Sequence, residues 1–476
     1  LNALMHVGLL PLRQGLACIF FIQIIIERII AILFRCNQTD MRNIYYGRMK
    51  KASKAILIIC DSLRRDLIDP SLAPRLSALL AEGCAFTQAR GVFPSTTRTS
   101  SASIATGCLP ARHGLLGNTV VLQEPDGLRC RSVGDPAFRS HLVAATGGTL
   151  RMPTLAERMA GHGGAWIMSN VSPGAAYFFD PDGHGEVHHR AGSYGPGRQP
   201  LDDSAALTIR SGAAGDTVMT ERFCSHLRDG TAPRLSVLWL SEPDHSGHGH
   251  PLGSPAHRRG IANADVCVAR VLTEVDALRA QGDDVLLAVG SDHGMETVCE
   301  HVPVTRWLVE AGLKQSMDSR DVVLAPNGTA FVLGVAPDAQ DRIPALVDWL
   351  SAQPWCGGVH HGAALSALGL PVGDPCCAIA VDMAHDDRTN DYGVAGFAYV
   401  VDDPDEAKNY LGHGQHGGLG RYEQRPFLVF DGGGFAASRA SMHAASLIDI
   451  APTLLRHLGL PHDGMDGCAL PLDPTT

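Results

Sequence analysis

No two of the chain's 13 cysteines stand in a CxxC spacing. Their number is odd, so they cannot all pair within one chain, and the adjacent Cys376 and Cys377 are poorly placed for an ordinary disulfide. A secreted disulfide scaffold is disfavoured, and reduced cysteines in a cytoplasmic protein are expected. Positive charge is not in excess either: 39 Lys and Arg stand against 49 Asp and Glu, for a net charge of -10. A surface that grips nucleic-acid phosphates would be basic, so none is expected. A small phosphate ligand is not excluded, because bound metal ions bring positive charge that the residue count omits. Internal repeats and low-complexity tracts are also missing.

A clean membrane span is lacking too. Residues 15–34 (GLACIFFIQIIIERIIAILF) are long enough to cross a bilayer, but Glu27 and Arg28 interrupt them. A charge at mid-membrane costs about 3 kcal/mol on insertion scales. No small-residue cleavage site follows, as a signal peptide would require. The sequence begins at Leu1, and Met49 precedes Lys50, Lys51 and the first clear strand. Residues 1–48 are therefore expected to be an upstream extension, with Met49 as a start. Membrane contact is expected only if residues 15–34 insert. Arg35, Arg42, Arg48, Lys50 and Lys51 would then keep their C-terminal side in the cytoplasm.

What is present is a large apolar core, with 45% hydrophobic residues among 476. Three short unbroken apolar runs, AILIIC at 55–60, LSVLWL at 235–240 and VLLAVG at 285–290, predict strands buried on both faces of a parallel sheet. Helical patterns lie between them. Thr154 and Glu157 have capping-box spacing, and residues 261–280 have amphipathic helical periodicity. Alternating strands and helices predict an α/β fold with a mainly parallel sheet flanked by helices. Residues 300–411 break this pattern and are expected to form an inserted cap. The division expected is an N-terminal extension at 1–53, a catalytic core at 54–299 and 412–476, and the cap between. Residues 181–200 are expected to be a surface loop.

Each of the three apolar runs leads into potential metal ligands, and sites in open α/β sheets form beyond the carboxyl ends of the strands. Asp61 follows the first run. Asp244 and His248 follow the second, and Asp292 and His293 the third. His416 lies in the glycine-rich HGQHGG. An Asp/His set without thiolates suits zinc or manganese in a catalytic site. The stretch GVFPSTTRTSSASIATG at 91–107 combines a Pro-led turn, several hydroxyls and a small-residue helix. A metal can activate a threonine hydroxyl, and a helix N-terminus favours negative charge beside it.

In order, the pieces ILIICDSLRRD, VFPSTTRTSSASIATGCLPARHGLLGN, SEPDHSGHGHP, GSDHGM, GQHGG and DIAPTLL…LGLP…MDG resemble the alkaline phosphatase superfamily, within it the type I phosphodiesterase/nucleotide pyrophosphatase branch. The resemblance covers about residues 54–476 and implies an alkaline-phosphatase-like core with an inserted cap. It implies two divalent metal ions, with zinc expected. One site would hold Asp244, His248 and His416, the other Asp61, Asp292, His293 and the Thr97 oxygen. Thr97 falls on the family's nucleophile. The branch commonly follows its nucleophile with Phe-Pro-Asn, where this chain has Arg98, Thr99 and Ser100. Ser100 is a shorter donor at the position of that Asn, and Arg98 either replaces the lost interaction as a bidentate phosphate ligand or points to solvent, with Asn118 as a further substrate residue.

The expected activity is hydrolysis of a small phosphate ester or nucleotide, a phosphodiester or pyrophosphate before others, through a covalent phospho-threonine. A phosphomonoesterase or phosphonate hydrolase on the same core is the alternative. A catalytically inactive binding protein has no need for all seven metal-site residues. An arylsulfatase is disfavoured because no Cys-x-Pro-x-Arg motif surrounds Thr97.

Overall fold

The computed structural model describes residues 53–202, 209–403 and 409–473. The extension 1–52, with its apolar stretch at 15–34, lies outside the described residues. Among the described residues no helix is long and apolar enough to cross a membrane.

The three apolar runs form the middle of a ten-stranded sheet. Lys54–Cys60 lies between Leu235–Leu240 and Val285–Gly290, parallel to both. Their side chains alternate between two cores. Ala55, Leu57 and Ile59 pack on one face of the sheet, and Ile56, Ile58 and Cys60 on the other. Both faces are buried, which is why these strands are apolar without a break. The helix Pro255–Ala280 covers the second face with Ile261, Ala264, Val268, Val271 and Val275. It starts earlier than its apolar periodicity because Ser254 accepts a hydrogen bond from the His257 N–H and Pro255 follows the cap. The helices Thr97–Thr106 and Ile450–His457 cover the first face with Ile104, Ala105, Ala451 and Leu454. Thr154 caps the helix Leu155–Met159 by accepting from the Glu157 N–H.

Ala165–Ser169 continues the sheet in parallel beyond Leu235–Leu240. Residues 181–200 then depart from the loop expected of them. Glu186–His188 pairs in parallel with Ala165–Ser169, and Tyr194–Gly195 and Gln199–Pro200 extend that edge. On the other side, Leu428–Gly432 runs antiparallel to Val285–Gly290, and Cys84–Arg90 and Arg439–Ser446 close the sheet.

A second, antiparallel sheet lies within the expected cap. It orders Val322–Pro326, Ala330–Val335, Ile379–Met383 and Cys356–His361, and it has its own core around Phe331, Leu346 and Trp355. The boundary expected at 299/300 falls inside the strand Glu296–Val302. That strand pairs with both Ala395–Val401 and Gly414–Gln415. Backbone pairing therefore runs across both expected cap boundaries, which composition alone does not reveal.

Candidate metal centre and active site

The parallel strands place their carboxyl ends along one edge of the sheet, and the ligand candidates gather there. Asp61, Asp292 and His293 form one group and Asp244, His248 and His416 another; within each, the candidate ligand atoms lie within 4.8 Å of one another. The two groups adjoin, since the His293 and His416 rings stack with centroids 3.7 Å apart.

All three histidines are oriented alike. Nδ1 of His248 donates to Gly414 O at 3.0 Å and Nδ1 of His416 to Ser95 O at 2.8 Å. Nδ1 of His293 lies 3.1 Å from Gly294 O and 3.0 Å from Ser62 Oγ. Pinning Nδ1–H in this way turns each Nε2 toward the carboxylates as an acceptor, the arrangement of a metal-ligating imidazole. The Nε2 atoms face the carboxylates. His248 and His416 reach Asp244 Oδ1 at 3.3 and 3.6 Å, and His293 reaches Asp292 Oδ2 at 3.0 Å and Asp61 Oδ1 at 3.7 Å.

These residues fit metal ions on a second count. Asp61 Oδ1 and Asp292 Oδ2 are buried and have no hydrogen-bond partner. Buried carboxylate oxygens without partners are costly unless a cation meets them. Burial pushes the Asp61 carboxyl well above its usual range, and the charges of Asp292 and Asp244 push it further. Burial also holds His416 well below the usual imidazole range, which keeps it neutral as a ligand must be.

Ser62 joins the two groups and had no signal in the residue pattern. Its hydroxyl donates to Asp244 Oδ1 at 2.7 Å, and its N–H donates to Asp292 Oδ1 at 3.1 Å. The backbone there takes a left-handed φ of 58°, an uncommon conformation for a residue with a side chain.

Thr97 opens the helix Thr97–Thr106, and its Oγ1 sits 3.2 Å from His293 Nε2. The positive end of the helix dipole thus faces the group Asp61, Asp292 and His293. Arg98 lines the same cavity, but its guanidinium is engaged sideways. Nη1 donates to Asn118 O at 2.6 Å and Nε to Ser172 Oγ at 3.3 Å. Gly174 leaves room for it, since a Cβ there would stand 2.9 Å from Arg98 Nε. Arg98 N–H also donates to Asn118 Oδ1 at 3.1 Å. Asn118 is thereby clamped with its Nδ2 left over, without a partner among the described residues. Ser100 is placed differently from the expectation. Its hydroxyl is buried in the helix packing with no hydrogen-bond partner, and it does not reach the cavity wall. One turn past Thr97, its side chain points into the protein rather than into the site.

A buried carboxylate ties the turn before Thr97 to the loop of His416. Glu423 Oε2 accepts from Ser95 Oγ at 3.0 Å, Thr329 Oγ1 at 2.8 Å, Gly417 N at 2.8 Å and Gly418 N at 2.7 Å. Gly328 brings the second sheet against the same loop. Its φ is +69°, and a Cβ there would stand 2.1 Å from His416 O. Three further histidines lie nearby: His245 and His250 line the cavity, and His413 Nδ1 bonds to His248 O at 3.1 Å. The cavity in front of Thr97 has a volume of about 1020 Å³.

Comparison with solved structures finds the same fold. Murine ectonucleotide pyrophosphatase/phosphodiesterase 5, an inactive variant in complex with AMP, is 17% identical with a TM-score of 0.58, covering 88% of this chain and 96% of its own. Phosphonoacetate hydrolase from Sinorhizobium meliloti, in complex with phosphonoformate, is 18% identical with a TM-score of 0.62, covering 86% and 96%. The human counterpart of the murine protein is 16% identical with a TM-score of 0.58, covering 87% and 97%. Identities this low carry the fold alone. A search of curated protein sequences returned no match. A family model for type I phosphodiesterase/nucleotide pyrophosphatase matches residues 55–348, more than half of the chain. The chain belongs to that family, within the alkaline phosphatase superfamily, and is a phosphoric ester hydrolase.

Proposed function

We propose that the chain is a two-metal phosphodiesterase or nucleotide pyrophosphatase that works through a phosphorylated Thr97. The observation that carries this reading is the position of Thr97 Oγ1, 3.2 Å from His293 Nε2, where two groups of ligand candidates adjoin.

Asp61, Asp292 and His293 would hold one divalent ion beside Thr97, and Asp244, His248 and His416 the other. When bound, the ions, for which zinc suits this donor set, supply charge that favours a deprotonated hydroxyl and stabilises the oxygens of the transferring phosphoryl group. The chain's own residues do the rest. Thr97 Oγ attacks phosphorus as the bond to the leaving oxygen breaks, and the leaving alcohol or phosphate departs with that oxygen. Water then attacks the phospho-threonine, releasing the phosphoryl product and regenerating the Thr97 hydroxyl. Asn118 Nδ2 donates to a phosphoryl oxygen, in the role the branch gives to the Asn that this chain lacks after its nucleophile. Arg98 acts one step back, holding Asn118 through both backbone and guanidinium. Positioning and charge account for most of the rate gain in such a site.

A cavity of about 1020 Å³ has room for a diester or a nucleotide, well beyond what a simple monoester fills. The neighbours bound to AMP and to a phosphonate agree with a small phosphoryl or phosphonyl ligand here. Purified protein assayed on bis(p-nitrophenyl) phosphate and p-nitrophenyl phosphate tests the assignment. A higher kcat/KM for the diester is expected. A higher value for the monoester would establish the phosphomonoesterase alternative.

A further inference from the structure

The cavity has a wall that this chemistry leaves unused. It is formed by Asn170, Val171 and Ser172, just past the strand Ala165–Ser169, and by Arg190, which follows the strand Glu186–His188. Arg190 Nη1 donates to the carbonyls of Asn170 and Val171, the latter at 2.7 Å, and to Asn170 Oδ1 at 3.2 Å. Asn170 is itself fixed, with its N–H on Trp239 O at 3.0 Å and its Nδ2 on Asp216 Oδ1 at 2.8 Å. Every acceptor that meets Arg190 is therefore uncharged, and that acceptor set uses one nitrogen of its three. Nε and Nη2 have no partner among the described residues. Among the described residues no carboxylate forms an ion pair with this cation, although the chain carries a net charge of -10.

Arg190 is an exposed residue of the cavity wall, and its guanidinium, pinned by one nitrogen, is a cationic fork. It suits a carboxylate or phosphate, which can accept two parallel hydrogen bonds. If Arg190 served only to brace the loop, a neutral side chain reaching the same carbonyls would suffice. The wall also lies close to the chemistry. Ser172 receives the Arg98 Nε bond, and Arg98 directly follows Thr97.

We propose that Arg190 binds a second anionic group of the substrate, a carboxylate or a phosphate, carried in addition to the phosphoryl group that Thr97 attacks. The inference rests on the hydrolase reading above and narrows it to phosphate diesters and anhydrides whose non-reacting part is acidic. Residues 189–192 thereby acquire a part in specificity that their composition does not announce.

Two matched chromogenic diesters test this. 2-Carboxyethyl p-nitrophenyl phosphate and its methyl carboxylate ester differ by one negative charge. For the zinc-loaded enzyme, kcat/KM is expected to favour the acid about tenfold, as one charge-assisted contact would. Arg190→Gln should bring that preference to within about twofold of unity, and Arg190→Lys should restore part of it. Equal turnover of the two esters by the wild type would overturn the inference. So would an Arg190→Gln protein that loses rate on both esters alike and keeps the preference, because Arg190 would then only support the loop. Equilibrium titration of the Thr97→Ala protein with the same esters reads the preference without turnover. Tighter binding of the acid that Arg190→Gln abolishes sustains the role of Arg190 even if the wild type hydrolyses neither ester. That last result would overturn the hydrolase reading alone. Equal binding of both esters would overturn the role of Arg190.

Discussion

Asn327 Oδ1 accepts the backbone N–H groups of both Asn118, at 2.7 Å, and Thr119, at 3.2 Å. Its Nδ2 donates back to Thr119 O at 3.1 Å. Asn327 stands at the tip of the hairpin formed by Val322–Pro326 and Ala330–Val335, so the second sheet sets the position of Asn118, the proposed phosphoryl donor. Asn327→Ala is expected to lower kcat about tenfold to a hundredfold, since small displacements of a positioned donor cost that much. Metal content should stay unchanged, because Asn118 belongs to neither ligand group. Steady-state kinetics and metal analysis of the same preparation check this. A kcat within twofold of the wild type would remove Asn327 from the positioning of Asn118.

Thr97→Ala should abolish turnover and Thr97→Ser should retain some, because only a hydroxyl can take up the phosphoryl group. Acid-quenched wild-type enzyme should carry phosphate on the peptide that contains Thr97, and mass spectrometry reads this directly. Labelling at Thr96 or Thr99 instead would move the nucleophile. Both hydroxyls are buried, and they bond to each other at 2.9 Å.

Metal removal should affect stability as well as activity. With no cation present, three carboxyl groups and three imidazoles face one another, and two of the carboxyl oxygens lack a hydrogen-bond partner. Active protein should contain two equivalents of divalent metal. Chelation should abolish activity and lower Tm, with both restored by zinc, because an ion bound only by the folded state stabilises it. A Tm that does not respond to chelator would argue against metal at these residues.

Acid should destabilise the fold through His113, which is far from the ligand groups in sequence. Its ring is buried and neutral, with Ser103 Oγ 2.9 Å from Nε2 and the Leu115 N–H donating to Nδ1 at 3.1 Å. Burial lowers its pKa to about 3. The unfolded chain protonates this ring near pH 6.5 and the folded chain does not, so stability is lost as the pH falls from 6.5 toward 3. The slope from one such group is about 1.4 kcal/mol per pH unit. Urea unfolding at pH 7 and pH 5 should show that His113→Gln loses about 2 kcal/mol less than the wild type over this interval. Equal losses would mean that the ring is not held neutral.

The strands and the ligand candidates were legible because each is written locally. An unbroken apolar run that ends in Asp, or in Asp followed closely by His, states both the burial of the strand and the chemistry at its end. Ser62, Glu423 and Asn327 were not legible. Each acts through hydrogen bonds to residues distant in sequence, and a lone Ser, Glu or Asn in a loop carries no periodicity. Ser100 misled for a related reason. Its spacing from Thr97 suggested a substrate donor, but whether a helical side chain faces the cavity or the core depends on what packs against that helix. Residues 181–200 read as a loop because their Gly and Pro content hides three short strands at the sheet edge.

Ser95 and residues 416–418 are laced together by bonds in both directions. Ser95 N–H meets Gly417 O at 2.9 Å, Gly417 N–H meets Ser95 Oγ at 3.0 Å, and His416 Nδ1 meets Ser95 O across a separation of 321 residues. On the proposed mechanism the nucleophile therefore emerges during synthesis long before His416, and a nascent chain holds Asp61, Thr97, Asp244 and Asp292 with one proposed ligand group still open. Catalytic competence would then arrive only when the loop of His416 returns to the turn before Thr97. Hydrolysis then reports completed topology, and a chain cut short before His416 would be inert however well its central sheet had formed.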